Sequence, residues 1–353
     1  MPEGHSVHRL ARQFNDVFAG AALAVSSPQG KFAAGAARID GHKLEHAQAH
    51  GKQMFLFFSH ELVMRVHLGL YGAWDFGGDS SFRGASSIGA PRRIGEKELD
   101  SGTGPDGAVG DMYLGPPEPK GAVRVRLISH HGWADLRGPT ACEVLSPAES
   151  TAVLCKLGPD PLNDFPGDAQ EFARRVRRSA TSIALLLMKQ EVLAGVGNVY
   201  RAEVLFRLGL DPMLPGKTLE QEEALAIWRD ISIVMADGLC DGRIITTELV
   251  DRPTGLGAEV GHGQAMAAMT SAEGGAHPAV PARAVPARAV PARAVPARAV
   301  LAPAVPAPAV PADEAHYVYK REGLPCRHCG SPIALKELGG RKLYWCPRCQ
   351  GGR

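Results

Sequence analysis

Residues Cys326–Gln350 read CRHCGSPIALKELGGRKLYWCPRCQ. Two Cys-x-x-Cys pairs, Cys326/Cys329 and Cys346/Cys349, flank sixteen residues, a length that suits a β-hairpin. Each pair clamps one side of a tetrahedral ion. Four thiolates complete the shell of one Zn²⁺ and leave no position for water, so the predicted metal is structural. A segment this short buries little apolar surface, and metal binding then supplies its folding free energy. A rubredoxin-like iron centre and a pair of disulfides are the other readings of the same spacing. His328 lies between ligands but is surplus to a four-cysteine set. Arg341, between Gly340 and Lys342 and five residues before Cys346, places a cation inside the hairpin beside Tyr344 and Trp345. That arrangement suits insertion toward a phosphate, or serves only as a solubilising turn.

Composition narrows the class of the remaining chain. Its 353 residues suffice for two or three domains with cores, and 45% hydrophobic with 22% charged content is that of a soluble globular protein. A net charge of +2 does not by itself announce a nucleic-acid binder. The run Arg174, Arg175, Arg177 and Arg178 is either a basic contact patch or a solvated helix face. No run of eighteen apolar residues and no signal-peptide core is seen, so a cytosolic location without a membrane partner is expected. In that compartment seven cysteines are unlike a disulfide framework, and Cys142, Cys155 and Cys240 are expected to be buried thiols.

Periodicity sets an α+β, multidomain organisation. Val7, Leu10, Ala11, Phe14 and Phe18 recur at helical spacing up to Gly20. QMFLFFSHELVMRVHLGLYGAWD (Gln53–Asp75) and AVRVRLI (Ala122–Ile128) read as strands, with a Gly/Pro/Ser-rich loop over residues 77–121. Residues 1–140 thus suggest an N-terminal helix on a β-sandwich. Residues 158–253 turn helical: two apolar-periodic segments flank AGVGN (Ala194–Asn198), and a further helix covers Glu222–Gly242. Residues 254–313 contain four PARAV repeats and read as a Pro/Ala/Arg-rich linker. Its Arg283, Arg288, Arg293 and Arg298 either skim a phosphate backbone or decorate an inert tether. Residues 314–353 form the zinc-ribbon unit.

The chain starts MPEGHSVHRL, so a Pro-Glu pair stands just before a helix. Excision of Met1 would leave Pro2 as a secondary amine able to attack a carbonyl-like carbon and form an iminium. A chain-terminal amine (pKa about 7.7–8.0) is roughly a tenth neutral at pH 7, against below about a thousandth for lysine. The helix N-terminus pushes it further toward neutrality, and Glu3 can shuttle a proton.

These features together resemble the formamidopyrimidine-DNA glycosylase and endonuclease VIII family of DNA repair enzymes. MPEGHSVHRLA, Gly51-Lys52, LAGVGN (Leu193–Asn198) and RKLYWCPRCQ (Arg341–Gln350) carry the resemblance, in the family's order. The MPEG start and LGLYGAW (Leu68–Trp74) look more like the endonuclease VIII branch, especially its actinobacterial members. The resemblance implies a bifunctional glycosylase and abasic-site lyase, acting as a monomer on oxidised pyrimidines in damaged double-stranded DNA. Oxidised purines, abasic sites alone, or non-catalytic DNA binding are the alternatives. By the same resemblance Pro2 attacks the sugar C1′ and Glu3 donates a proton that helps open the sugar. Lys52 assists β-elimination, or is an ordinary surface lysine. Asn198 binds phosphates within a helix-two-turn-helix motif, and Arg341 grips phosphate and assists δ-elimination. Leu70 and Tyr71 fill the hole left by the everted nucleotide, or belong to the sandwich core. Two departures stand out. Gly69 occupies a position where the endonuclease VIII pattern has a larger polar side chain, and the linker separates the zinc hairpin from the helices.

Overall fold

A computed structural model describes residues 2–90, 115–252 and 310–351. Helix α1 (Gly4–Phe18) buries Val7, Leu10, Ala11, Phe14 and Phe18, the stripe its periodicity predicts. There follow β1 (Ala24–Ser26), α2 (Ala33–Ile39), β2 (Leu44–His50), β3 (Gln53–Phe58), β4 (Leu62–His67), β5 (Ala73–Gly78) and β6 (Ser87–Gly89). Then come β7 (Val123–Ile128), β8 (Gly132–Arg137) and β9 (Ala141–Leu145). They form two antiparallel sheets, ordered β1-β7-β8-β5-β6 and β2-β3-β4-β9. Both sheets and α1 share one core, in which the Phe14 ring meets Trp74 edge-on at 4.9 Å. The sandwich runs past the boundary expected at residue 140, because β9 pairs with β4 from Ala141 to Leu145. Within the expected loop 77–121, residues 87–89 join a sheet as β6; residues 91–114 lie outside the described residues.

The helical unit contains α3 (Pro147–Leu154), α4 (Asp168–Arg177), α5 (Ile183–Leu186), α6 (Asn198–Arg207) and α7 (Gln221–Asp241). A capping box between Ser146 and Glu149 starts α3. On α4, Arg174 and Arg175 both pair with Glu171 at the helix surface, which favours the solvated-face reading of that basic run. The apolar segment before AGVGN is helical for one turn only. Its backbone instead bonds to the preceding loop: Gly158 N–H donates to the Gln190 carbonyl at 2.8 Å and Ala194 N–H to that of Pro159 at 2.9 Å.

The C-terminal unit is a hairpin of β10 (Ala334–Leu338) and β11 (Arg341–Trp345), turned at Gly339 and Gly340, both left-handed. It docks through Glu203 of α6, whose buried carboxylate accepts the N–H groups of Tyr317, Val318 and Tyr319 at 2.7–2.9 Å and the Thr246 hydroxyl. The described residues resume at Val310, within the span expected for the linker, and Arg243 Nη2 holds the Val310 carbonyl at 2.6 Å. The PARAV repeats lie outside the described residues. Cys155 and Cys240 are exposed rather than buried. Cys142 is half-buried, and burial pushes its thiol up to about 12.

Candidate active site

Three glycines from distant segments bring the site together. A β-carbon on Gly4 would lie 2.9 Å from the Gly195 Cα, and one on Gly51, where φ is +58°, would lie 2.8 Å from the Gly195 nitrogen. Only backbone fits there, so the start of α1, the β2–β3 turn and the turn before α6 meet directly. Gly4 N–H donates to the Gly195 carbonyl at 2.8 Å.

This junction aims the polar groups. Pro2 and Glu3 are buried. The Glu3 carboxylate accepts Gly197 N–H at 2.8 Å and Val199 N–H at 2.9 Å, at the N-terminus of α6, where the helix dipole favours an anion. Lys52 Nζ donates to the Val196 carbonyl at 2.9 Å. Burial holds the Lys52 ammonium below the ordinary lysine range; Glu3 opposes that shift and Arg341 adds to it. A cleft of about 350 Å³ is lined by Pro2, Lys52, His67, Leu70, Gln190 and Arg341. It therefore joins Pro2, Lys52, Leu70 and Arg341, expected from the sequence, to His67 and Gln190, which were not.

Asn198 opens α6. Its Nδ2 donates to the Lys342 carbonyl of the hairpin at 2.9 Å, so it ties the helix to the zinc unit beside the exposed Arg341. Leu70 and Tyr71 are 38% and 82% exposed, outside the sandwich core. Gly69 has φ +67°, and a β-carbon there would stand 1.8 Å from the Thr140 hydroxyl. The missing side chain at this position thus follows from the turn and from Thr140.

Several site groups were not anticipated. His67 enters the cleft at the end of β4; burial, Arg65 and Lys52 keep its imidazole below the usual range. The pairing of Gln53 with His67 sets it beside Lys52, a proximity that counting outward from the Phe58–Leu62 turn would have revealed. Arg201 is fully buried on α6. Its Nη2 reaches Asn198 Oδ1 and the Lys342 carbonyl, while Nε and Nη1 have no partner among the described residues. Burial lowers this guanidinium to about 10. Asp160, fully buried behind the site, accepts Gly51 N–H and His8 Nε2, each at 2.7 Å. Burial alone would raise the carboxyl, but His8 and the Gly51 N–H outweigh it and hold it below the carboxylate range.

The four ligand sulfurs lie within 4.8 Å of one another, with Cys326–Cys349 at 3.8 Å and Cys329–Cys346 at 3.4 Å. Tetrahedral Zn²⁺ with bonds of about 2.3 Å spaces its sulfurs by about 3.8 Å. The cluster fits one zinc ion and contains no disulfide. His328 instead packs on Phe206 and Tyr317.

Comparison with known proteins agrees with this architecture. Residues 1–99 match the formamidopyrimidine-DNA glycosylase N-terminal domain, 157–249 its H2TH domain, and 323–351 the zinc finger found in FPG and IleRS. Endonuclease 8 1 of Mycobacterium tuberculosis is 35% identical over 350 residues, 99% of this chain and 100% of that protein. Formamidopyrimidine-DNA glycosylase of Thermus thermophilus is 30% identical over 203 residues, 56% of this chain and 55% of that protein. The crystal structure of the MutM (Fpg) protein of Thermus thermophilus superimposes with a TM-score of 0.62 at 21% identity, covering 99% of both chains. That of Lactococcus lactis Fpg with DNA containing an abasic site gives 0.62 at 16%, covering 99% of both. With its three domain types in order and a full-length relative at this identity, the chain belongs to the formamidopyrimidine-DNA glycosylase and endonuclease VIII family of DNA glycosylases.

Proposed function

We propose that this protein is a base excision repair enzyme that removes oxidised pyrimidines from duplex DNA and nicks the strand. The observation that carries the proposal is that Pro2, Lys52 and Arg341 line one cleft, with the adjoining Glu3 held at the start of α6. Pro2, freed of Met1, bonds its nitrogen to C1′ as the glycosidic bond breaks and the base departs. Glu3, held at the start of α6, relays a proton to the sugar ring oxygen, which opens the ring and leaves an iminium. Loss of a C2′ proton then expels the 3′ phosphate; Lys52, less basic than an ordinary lysine, assists this β-elimination. Arg341 and Asn198 grip the flanking phosphates, with the unpartnered edge of Arg201 behind them. Arg341 also assists δ-elimination. The exposed Leu70 and Tyr71 occupy the gap left when the damaged nucleotide leaves the stack. Zinc holds the hairpin that carries Arg341 and takes no part in bond making. Among the described residues no helix is long and apolar enough to cross a membrane.

Borohydride added during turnover tests the covalent step. The wild-type chain is expected to crosslink to lesion DNA through Pro2, and Pro2→Gly or retained Met1 to abolish the adduct. Mass spectrometry placing the sugar on a lysine would refute the assignment. A duplex panel of thymine glycol, dihydrouracil, 8-oxoguanine and plain abasic sites tests the substrate class. Faster excision of the two pyrimidine lesions is expected; a preference for 8-oxoguanine would transfer the same chemistry to oxidised purines.

A further inference from the structure

Gln190 lies between α5 and α6, half-buried, and its side chain lines the cleft that contains Pro2 and Lys52. Both ends of its amide are engaged. Oε1 accepts Gly195 N–H at 3.1 Å, and Nε2 donates to the carbonyls of Val196 at 3.0 Å and Met188 at 3.2 Å. With one backbone donor on one side and two carbonyls on the other, only one amide orientation satisfies all three bonds. The two residues it braces are those that carry the site. The Val196 carbonyl also accepts Lys52 Nζ, and the Gly195 carbonyl accepts Gly4 N–H just behind Pro2 and Glu3.

Given the Pro2–Lys52 chemistry proposed above, we propose that Gln190 is a positioning residue for elimination: by clamping the Gly195–Val196 turn it fixes Lys52 relative to Pro2 and shares the acceptor on which Lys52 rests. Sharing weakens the hold of the Val196 carbonyl on the ammonium, so Lys52 releases its proton more readily. Few side chains serve. Methionine has the reach but neither polar group; glutamate keeps the acceptor, loses the donors and sets a carboxylate beside Lys52. The other charged or titratable groups facing Lys52 are the Pro2 amine freed by Met1 excision, Glu3 at the start of α1, His67 at the end of β4 and Arg341 on β11, and none of these changes in the variants.

The test uses zinc-loaded, full-length protein and duplex DNA carrying one abasic site. Single-turnover trapping and nicking are followed against pH, with DNA affinity measured separately. Gln190→Met is expected to slow nicking by about 100-fold, the scale of a small misplacement, with DNA affinity little changed. The pH limb that Lys52 governs should move upward, and further for Gln190→Glu. Wild-type rates and an unmoved limb in both variants would overturn the role. So would a loss that merely tracks the fraction of folded protein, measured by circular dichroism. Wild-type protein that neither traps nor nicks would instead remove the proposed chemistry, and this inference with it.

Discussion

Glu3 is buried, and each carboxylate oxygen accepts a backbone N–H from the start of α6. Gln at this position keeps the volume but turns an amide NH₂ toward one of those N–H donors, leaving two donors face to face. Glu3→Gln is therefore expected to slow base excision by about 100-fold or more, the usual range for a lost proton relay. Incision at a pre-formed abasic site, where no base must leave, should survive far better. Gel assays on paired lesion and abasic duplexes measure both, and equal losses on the two would argue against a relay confined to the excision step. The Pro2–Glu3 pair can be singled out in the sequence because the chemistry proposed for it lies in adjacent residues at a helix start. Arg201 was not, since NVYRAEVLFR gives no sign that its first arginine is fully buried while Arg207 pairs with Asp230. His67 was missed because its meaning depends on strand register rather than on its neighbours.

At the scale of elements, the junction of α1, the β2–β3 turn and the turn before α6 depends on Asp160. AGVGN was legible as a glycine-rich turn. That its glycines stack against those of two other segments was not, because close backbone approach leaves no local pattern. The one-turn α5 was misread for a related reason: its apolar period is helical, but the backbone beyond Leu186 finds partners in residues 158 and 159. Asp160→Ala would strand the buried Gly51 N–H and the His8 ring. A cost of about 1–3 kcal/mol is expected, the range for leaving a buried donor unsatisfied. The pH dependence has a definite sign. The folded carboxyl of Asp160 is depressed, so its contribution is complete above the unfolded value near about 3.9 and fades as pH falls through the lower folded value. Thermal melting of wild type should thus show an acid-side loss that Asp160→Ala lacks. Parallel slopes for the two proteins would mean that the pair contributes nothing linked to protons.

For the whole molecule, the question raised by the sequence is how a zinc hairpin stays registered with α6 across residues 253–309. The contacts on either side of the insert answer it. Thr246 N–H meets the Ala315 carbonyl at 2.9 Å, the Thr247 hydroxyl meets that of Glu314 at 2.7 Å, and Glu203 gathers the backbone of Tyr317 to Tyr319. The chain leaves and re-enters along neighbouring paths, and loop closure depends only weakly on the length between them. Zinc does carry load. Chelation should release the hairpin and with it Arg341, giving slower δ-elimination and weaker DNA binding, readable from the nicked ends and from a binding titration. The insert should behave oppositely. Removing residues 281–309 spares Val310, whose carbonyl Arg243 holds, and leaves the Thr246–Ala315 and Glu203 contacts in place. Trapping rate, melting temperature and metal content are expected to match the full chain. The four arginines within the deletion supply the counter-test. If they lie on phosphate, the deletion weakens DNA binding and flattens its salt dependence by up to about four charges' worth of counterion release, with folding intact. That result would make the insert part of the DNA-binding surface rather than a tether.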